Sequence, residues 1–197
     1  DKVDRPKQKK YRGNYFSPEK VQTLLSMIRD DVIYMPVLLA AYYGLRRSEA
    51  VGLSWSNIDF ENGVIHVAQK VIELTENGKT ELIISKDMKN ESSRRSLPLI
   101  SDVKKILLEQ KEKQETYRKM FRGDYNRKYL DMVCVDPMGN LIHPDRITER
   151  FPVLLERFGM EKIRFHDLRH TFATMALENG MNVKVLSDMI GHISAET

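Results

Sequence analysis

The most apolar stretch of the chain, Ile33 to Leu45, is followed at once by two arginines, Arg46 and Arg47. The stretch contains Pro36 and is shorter than the ~20 apolar residues a membrane-spanning helix needs. It therefore predicts a helix buried inside a soluble domain, running through Met35, Leu38, Leu39 and Tyr42, with Gly44 at its end or at a close packing point. A guanidinium emerging from such a helix is partly stripped of water, so it needs a carboxylate or a phosphate as partner. With 197 residues, 41% of them hydrophobic, the chain has enough material for one sizeable core and too little for two full domains.

The elements around that helix read clearly. Ser17-Pro18-Glu19 is a helix start, with Val21, Leu24, Leu25 and Ile28 following at helical spacing. After Trp55 the pattern turns to strands. Ile58-Asp59-Phe60 and Val64 to Val67 flank Glu61-Asn62-Gly63, and Asn77-Gly78 separates Val71-Ile72 from Leu82-Ile83-Ile84. One small antiparallel sheet is expected, closed by Arg94 to Leu97 and ended by Ser96-Leu97-Pro98-Leu99. Helical patterns then occupy Ser101 to about Met120, Pro144 to Phe158, His166 to Asn179 and Val183 to Met189, with Gly159 and Gly180 as stops. The fold class is mainly α with a small antiparallel β-sheet (α+β). Met175, Leu177, Val185, Leu186 and Met189 read as core, and His66 and His143 as ordinary polar residues.

A net charge of +4 excludes little, so its distribution matters more than its sum. Residues 1–15 carry Lys2, Arg5, Lys7, Lys9, Lys10 and Arg12 against Asp1 and Asp4, with no apolar periodicity, and read as an extended basic arm. From Lys104 to Lys128 basic residues again outnumber acidic ones. There a solvated helix face, laced by pairs such as Glu109 with Lys113, competes with a DNA-contacting role. A single cysteine, Cys134, permits no internal disulfide and fits a reducing compartment, with the cytoplasm as the default. The charged N-terminus is unlike a signal sequence.

The sharpest chemical signal is Phe165-His166-Asp167-Leu168-Arg169-His170-Thr171, where three cationic or potentially cationic groups stand three and four residues apart on one helix face. Gly44-Leu45-Arg46-Arg47-Ser48-Glu49 is the second cluster. Forked guanidiniums from the two segments would bind the nonbridging oxygens of one phosphodiester and stabilise the added charge of a pentacoordinate transition state without a metal. Arg47 lies about 100° around a helix from Arg46 and reads as a surface or structural partner.

Gly-Leu-Arg-Arg-Ser-Glu, His-Asp-Leu-Arg-His-Thr and Ile-Gly-His occur in the order found in the tyrosine recombinases, and from Ser17 onward the chain resembles the catalytic domain of the phage and conjugative-transposon integrases of that family. The resemblance implies the fold of the DNA breaking-rejoining enzymes, with residues 16–197 as catalytic domain, residues 1–15 as interdomain linker and a core-binding domain preceding them. It implies site-specific recombination through a 3′-phosphotyrosyl intermediate, with no cofactor and no metal. The implied site is Arg46, His166, Arg169 and His192 around the scissile phosphate, completed by a hairpin lysine, Lys89 in preference to Lys86. His166 would be general base, Lys89 general acid, and Glu49 and Asp167 the carboxylates that orient the cations. Arg94 and Arg95 join Lys2, Lys7, Lys9, Lys10 and Arg12 as expected DNA contacts.

In the family the nucleophilic tyrosine follows the Gly-His histidine by a little under three helical turns, a position past Thr197, while the last tyrosine here is Tyr129. The chain as given is therefore expected to lack its nucleophile. The implied partners are double-stranded DNA at element ends and target sites and three further copies in a synaptic tetramer, with a monomer expected without DNA and no membrane. Two rivals remain open: a non-catalytic helix-turn-helix DNA-binding regulator, since Val183 to Thr197 reads as helix, turn and helix start, and a zinc-dependent hydrolase, since His166 and His170 imitate zincin spacing.

Overall fold

A computed structural model describes residues 15–87 and 94–191. Its centre is the helix anticipated from the apolar stretch. Helix α1 (Pro18–Met27) starts at Ser17, whose hydroxyl accepts from the Lys20 amide at 3.3 Å, and buries Val21, Leu24 and Leu25. Helix α2 (Tyr34–Tyr43) is buried along its whole length except at Tyr42, and it packs against α1, the short helix α3 (Arg47–Val51) and α6 (Asp167–Glu178). Each fully buried Leu of α2 contributes roughly 1.5–3 kcal/mol by leaving water. Gly44 ends α2 in the left-handed region, at φ 61°, where a side chain would be strained. The turn it makes sends Arg46 toward the C-terminal end of α7 (Val183–Ile190) and lets Arg169 of α6 reach the Gly44 carbonyl.

The strands form two small sheets where one was expected. Strands β1 (Ile58–Asp59), β2 (Val64–Val67) and β5 (Arg95–Pro98) make an antiparallel sheet in the order β1-β2-β5, with Ile65 opposite Leu97, both buried. Strands β3 (Lys70–Glu76) and β4 (Lys79–Ser85) pair only with each other, through the Asn77-Gly78 turn in which both residues have positive φ. The physical reason lies in burial. Ile65 and Leu97 share an apolar face, whereas β3 beyond Val71 is exposed to its tip and has no core face to offer a fifth strand.

Helix α4 (Ser101–Phe121) buries Val103 and Leu107. The expected Glu109–Lys113 pair is replaced by contacts to the α1–α2 corner: Glu109 accepts from Arg29 at 2.6 Å, and Lys113 sits 3.8 Å from Asp30. Reaching a second element anchors the helix better than a pair within one turn. Trp55 donates its Nε1–H to Gln114 at 3.0 Å beneath the Lys111 ammonium, and Lys104 donates to the Phe60 carbonyl at 2.6 Å, so part of this basic helix is committed to internal contacts. Helix α5 (Pro144–Arg157) buries Ile147, Phe151, Leu154 and Leu155 and is tied to the start of α2 by a two-pronged Arg150–Asp31 ion pair. Burial of Cys134 pushes its thiol pKa well up, which leaves it unreactive. Among the described residues no helix is long and apolar enough to cross a membrane.

A Cβ on residue 44 would lie 2.8 Å from Phe172 and 3.1 Å from Ile190, on top of the strain at positive φ. Gly44→Ala is expected to destabilise the domain by about 1–3 kcal/mol. Denaturant unfolding of the two proteins checks this; equal midpoints would contradict the packing described.

Candidate active site

The site is assembled from three distant parts of the chain at the C-terminal end of α7. Arg46 is the residue before α3, in extended conformation, and its amide donates to Glu49 Oε2 at 2.9 Å, which caps the helix start. Its guanidinium donates from Nη1 to Glu49 Oε1 at 2.8 Å and from Nη2 to the Gly191 carbonyl at 2.9 Å. Arg169, on the inward side of α6, donates from Nη1 to the Gly44 carbonyl at 2.6 Å and from Nη2 to the Ile190 carbonyl. Arg95, on β5, donates from Nε to the Met189 carbonyl at 2.6 Å and from its two Nη atoms to Glu49 at 2.9 and 3.3 Å.

Three arginines thus hold three consecutive carbonyls. The last carbonyls of a helix lack intrahelical partners and carry its partial negative charge. Here the Gly191 amide serves those of Ser187 and Asp188, and the arginines serve the next three. Among the described residues, the carboxylate set against these guanidiniums is Glu49, only 3% exposed. Burial alone would raise its pKa, but its hydrogen bonds and attraction to Arg95, with those to Arg46, outweigh burial and hold it below the ordinary 4.5. Burial, then repulsion by Arg46 and Arg95 against the pull of Glu49, brings Arg169 down to about 10. It remains charged at neutral pH, and the cluster keeps a surplus positive charge suited to an anion.

His166 precedes α6 and is exposed, with its ring 5.5 Å from that of His170 in edge-to-face contact. Partial dehydration, then the positive neighbours His170 and Arg169, lower its pKa below the usual 6.5, with Asp167 opposing. The imidazole is therefore mostly neutral near pH 7. The expected common face of His166, Arg169 and His170 divides: the two rings meet at the surface while Arg169 turns inward. Asp167, fully buried, accepts from the Arg164 amide at 2.8 Å and from its Nη2 at 2.9 Å. That bond and the neighbouring Arg169 also disfavour a zinc ion at His166 and His170.

The remaining expected residues divide as follows. Arg94 is exposed and donates to the Lys86 carbonyl at 3.0 Å. Arg95, expected to face DNA, has a side chain only 6% exposed. Strand alternation in β5 puts Arg95 on the side of buried Leu97 and away from exposed Ser96. Arg47 pairs with Asp145 at 3.1 Å, as a structural partner. Lys89, His192 and the arm residues Lys2, Lys7, Lys9, Lys10 and Arg12 lie outside the described residues. A groove lined by Lys86, Arg94, Lys128, Ser56, Asn57 and Gln69 brings together basic residues that the sequence offered separately, a juxtaposition it did not reveal because the lining comes from five separate segments.

Comparison with known proteins places this geometry. The phage integrase family model matches residues 14–197. A protein described as tyrosine recombinase XerC-like, from Caldanaerobacter subterraneus subsp. tengcongensis, is 28% identical over 185 residues, covering 90% of this chain and 46% of its own length. The transposase from transposon Tn916 of Enterococcus faecalis is 27% identical over 195 residues, covering 88% of this chain and 44% of its own. The chain thus spans about half the length of these relatives. Among solved structures, the Tn1549 transposon integrase in complex with transposon right end DNA superposes with a TM-score of 0.76 at 24% identity, over 94% of this chain and 60% of that one. A lambda integrase dimer bound to a core site gives 0.61 at 14%, over 98% and 48%. At these identities the structural likeness establishes the fold.

A folded-state pKa below 4.5 means that the Glu49 carboxylate stabilises the domain fully above that value, and that this contribution is lost as pH falls through the lowered folded value. Glu49→Gln leaves the arginines uncompensated and is expected to cost roughly 3–5 kcal/mol near neutrality. The gap to the wild type narrows on acidification. Thermal unfolding of both proteins from neutral pH to about pH 3 checks the sign; a pH-independent gap would contradict the ion-paired Glu49.

Proposed function

The chain belongs to the phage integrase family, the tyrosine recombinases, and on that premise we propose that it is the catalytic domain of an integrase that cuts and rejoins duplex DNA at the ends and target sites of a mobile element. The observation that carries this reading is the pair Arg46 and Arg169, bound to adjacent carbonyls in a pocket of surplus positive charge beside a largely neutral His166. Such a pocket suits a phosphodiester whose transition state gains negative charge on its nonbridging oxygens. Arg46, with a side chain 40% exposed, takes an oxygen directly. Arg169 is nearly buried, so its field is weakly screened, and its two carbonyl bonds leave three of its five N–H donors for an anion.

A tyrosine from the segment that follows Thr197 in the natural protein attacks phosphorus as His166 takes its proton. The bond to the 5′ oxygen breaks, and Lys89 delivers a proton to that oxygen as it leaves, giving a 5′-hydroxyl and a 3′-phosphotyrosyl link. His192 donates a further hydrogen bond to the phosphate. Attack by the 5′-hydroxyl of another strand reverses the chemistry and restores the tyrosine, so no external energy source enters the balance. Four copies assemble on two DNA duplexes in the cytoplasm, residues 1–15 acting as the basic linker. Relatives solved with DNA, the Tn1549 integrase among them, support duplex DNA as partner.

The test uses the chain with its natural continuation past Thr197 and a nicked duplex carrying the element end. Arg46→Ala and Arg169→Ala are each expected to slow covalent adduct formation by at least ~100-fold while DNA affinity falls much less; a parallel loss of both would remove the arginines from the transition state. With neutral His166 as base, the cleavage rate should fall on the acid side with an apparent pKa below 6.5. A rate independent of pH from about 5 to 8 would assign the base elsewhere.

A further inference from the structure

Two of the three arginines at the end of α7 belong to the proposed phosphate clamp, and the third, Arg95, has no place in it. Its side chain is 6% exposed, so it does not present itself to DNA. It nevertheless joins the two supports of the clamp from behind, as Arg46 does from the exposed side. Through both Nη atoms it grips Glu49, whose carboxylate also binds the amide and the Nη1 of Arg46. Through Nε it grips the Met189 carbonyl, next to the Ile190 and Gly191 carbonyls that hold Arg169 and Arg46.

A guanidinium is planar, so simultaneous bonds from Nε and Nη fix the angle between the two groups it holds. Arg95 is itself fixed, because β5 is paired with β2 and Arg95 stands opposite Val67. The sheet therefore sets where Glu49 and the α7 terminus lie relative to one another. Without Arg95, Glu49 would have Arg46 as its remaining described partner and would draw that guanidinium inward, away from an incoming phosphate. An apolar side chain would fill the same space without the cost of dehydrating a charge, so packing alone does not account for an arginine here.

We propose that Arg95 is a positioning residue that sets Arg46 and the end of α7 in register for the scissile phosphate without itself touching DNA. This rests on reading the site as a phosphodiester-cleaving one. Groups that orient others in this way typically change activity 10–100-fold when removed.

The experiment compares wild type, Arg95→Met and Arg95→Lys, each with its natural C-terminal continuation, on the nicked element-end duplex. Single-turnover cleavage at saturating DNA is measured beside the DNA dissociation constant and its salt dependence, at a temperature where circular dichroism finds each variant folded. Arg95→Met should cleave on the order of 100-fold more slowly, with affinity within about 3-fold and an unchanged salt slope, and Arg95→Lys should recover part of the rate because it restores the charge but not the fork. If binding falls with cleavage and the salt slope drops by about one, Arg95 contacts a phosphate directly and the proposal is overturned. Cleavage by Arg95→Met at the wild-type rate overturns it as well. Should that variant fail to fold, Arg95→Lys decides, since full wild-type cleavage by it would show that the fork is dispensable. Absence of an adduct from the wild type itself would sink the cleavage reading instead.

Discussion

Everything at the candidate site depends on one buried carboxylate. Glu49 lies at the junction of α3, β5 and the loop after α2, and among the described residues it is the carboxylate that pairs with Arg46 and Arg95. Its attraction to Arg95 is what permits that nearly buried cation to leave water, since a buried unpaired arginine would be prohibitive, while it holds the half-exposed Arg46 in place. The compensation is incomplete by design of the count: one carboxylate does not neutralise three guanidiniums. Helix α7 supplies part of the remainder with its terminal carbonyls, which are dipoles rather than charges. A site held together this way is stable without an anion and still electrostatically prepared to receive one.

The arrangement also explains why the chain must bring such distant segments together. Arg46 follows the central buried helix, Arg95 sits on the three-stranded sheet, and Arg169 comes from α6 after two further helices. None of these elements forms the pocket alone. Helix α2 is the common support, because its left-handed end at Gly44 both redirects the chain toward Arg46 and offers its carbonyl to Arg169. Close packing of Phe172 and Ile190 over Gly44 ties the positions of α6 and α7 to that same turn. Fold and site thus share one corner, and a change in either is felt in the other.

Much of this was legible in the sequence, for identifiable reasons. Apolar periodicity and end signals located α1, α2, α4, α5, α6 and α7 to within a residue or two, and the Asn77-Gly78 turn is where its backbone preference requires it. Arg46, Glu49 and Arg169 stood out because their motifs place charge beside apolar helices. What failed was long-range geometry. The split into two sheets depends on which strand has a buried face, and the partners of Glu109 and Lys113 lie on another element. Arg95 was expected as a DNA contact, yet its side chain is nearly buried, because composition counts its charge while only strand alternation tells which way it points. Asp167 was read as a carboxylate that orients the catalytic cations; it also binds Arg164, an ion pair that the sequence reading did not anticipate.

The central claim is that this arginine pocket guides a tyrosine onto a phosphodiester. Its most direct test is to incubate the chain, extended through its natural continuation, with nicked element-end DNA in EDTA and to map any covalent adduct by mass spectrometry. A nucleotide attached to a tyrosine shortly after Thr197 is the expected result. Salt-sensitive, sequence-specific binding with no adduct would contradict the claim and make the protein a DNA-binding regulator.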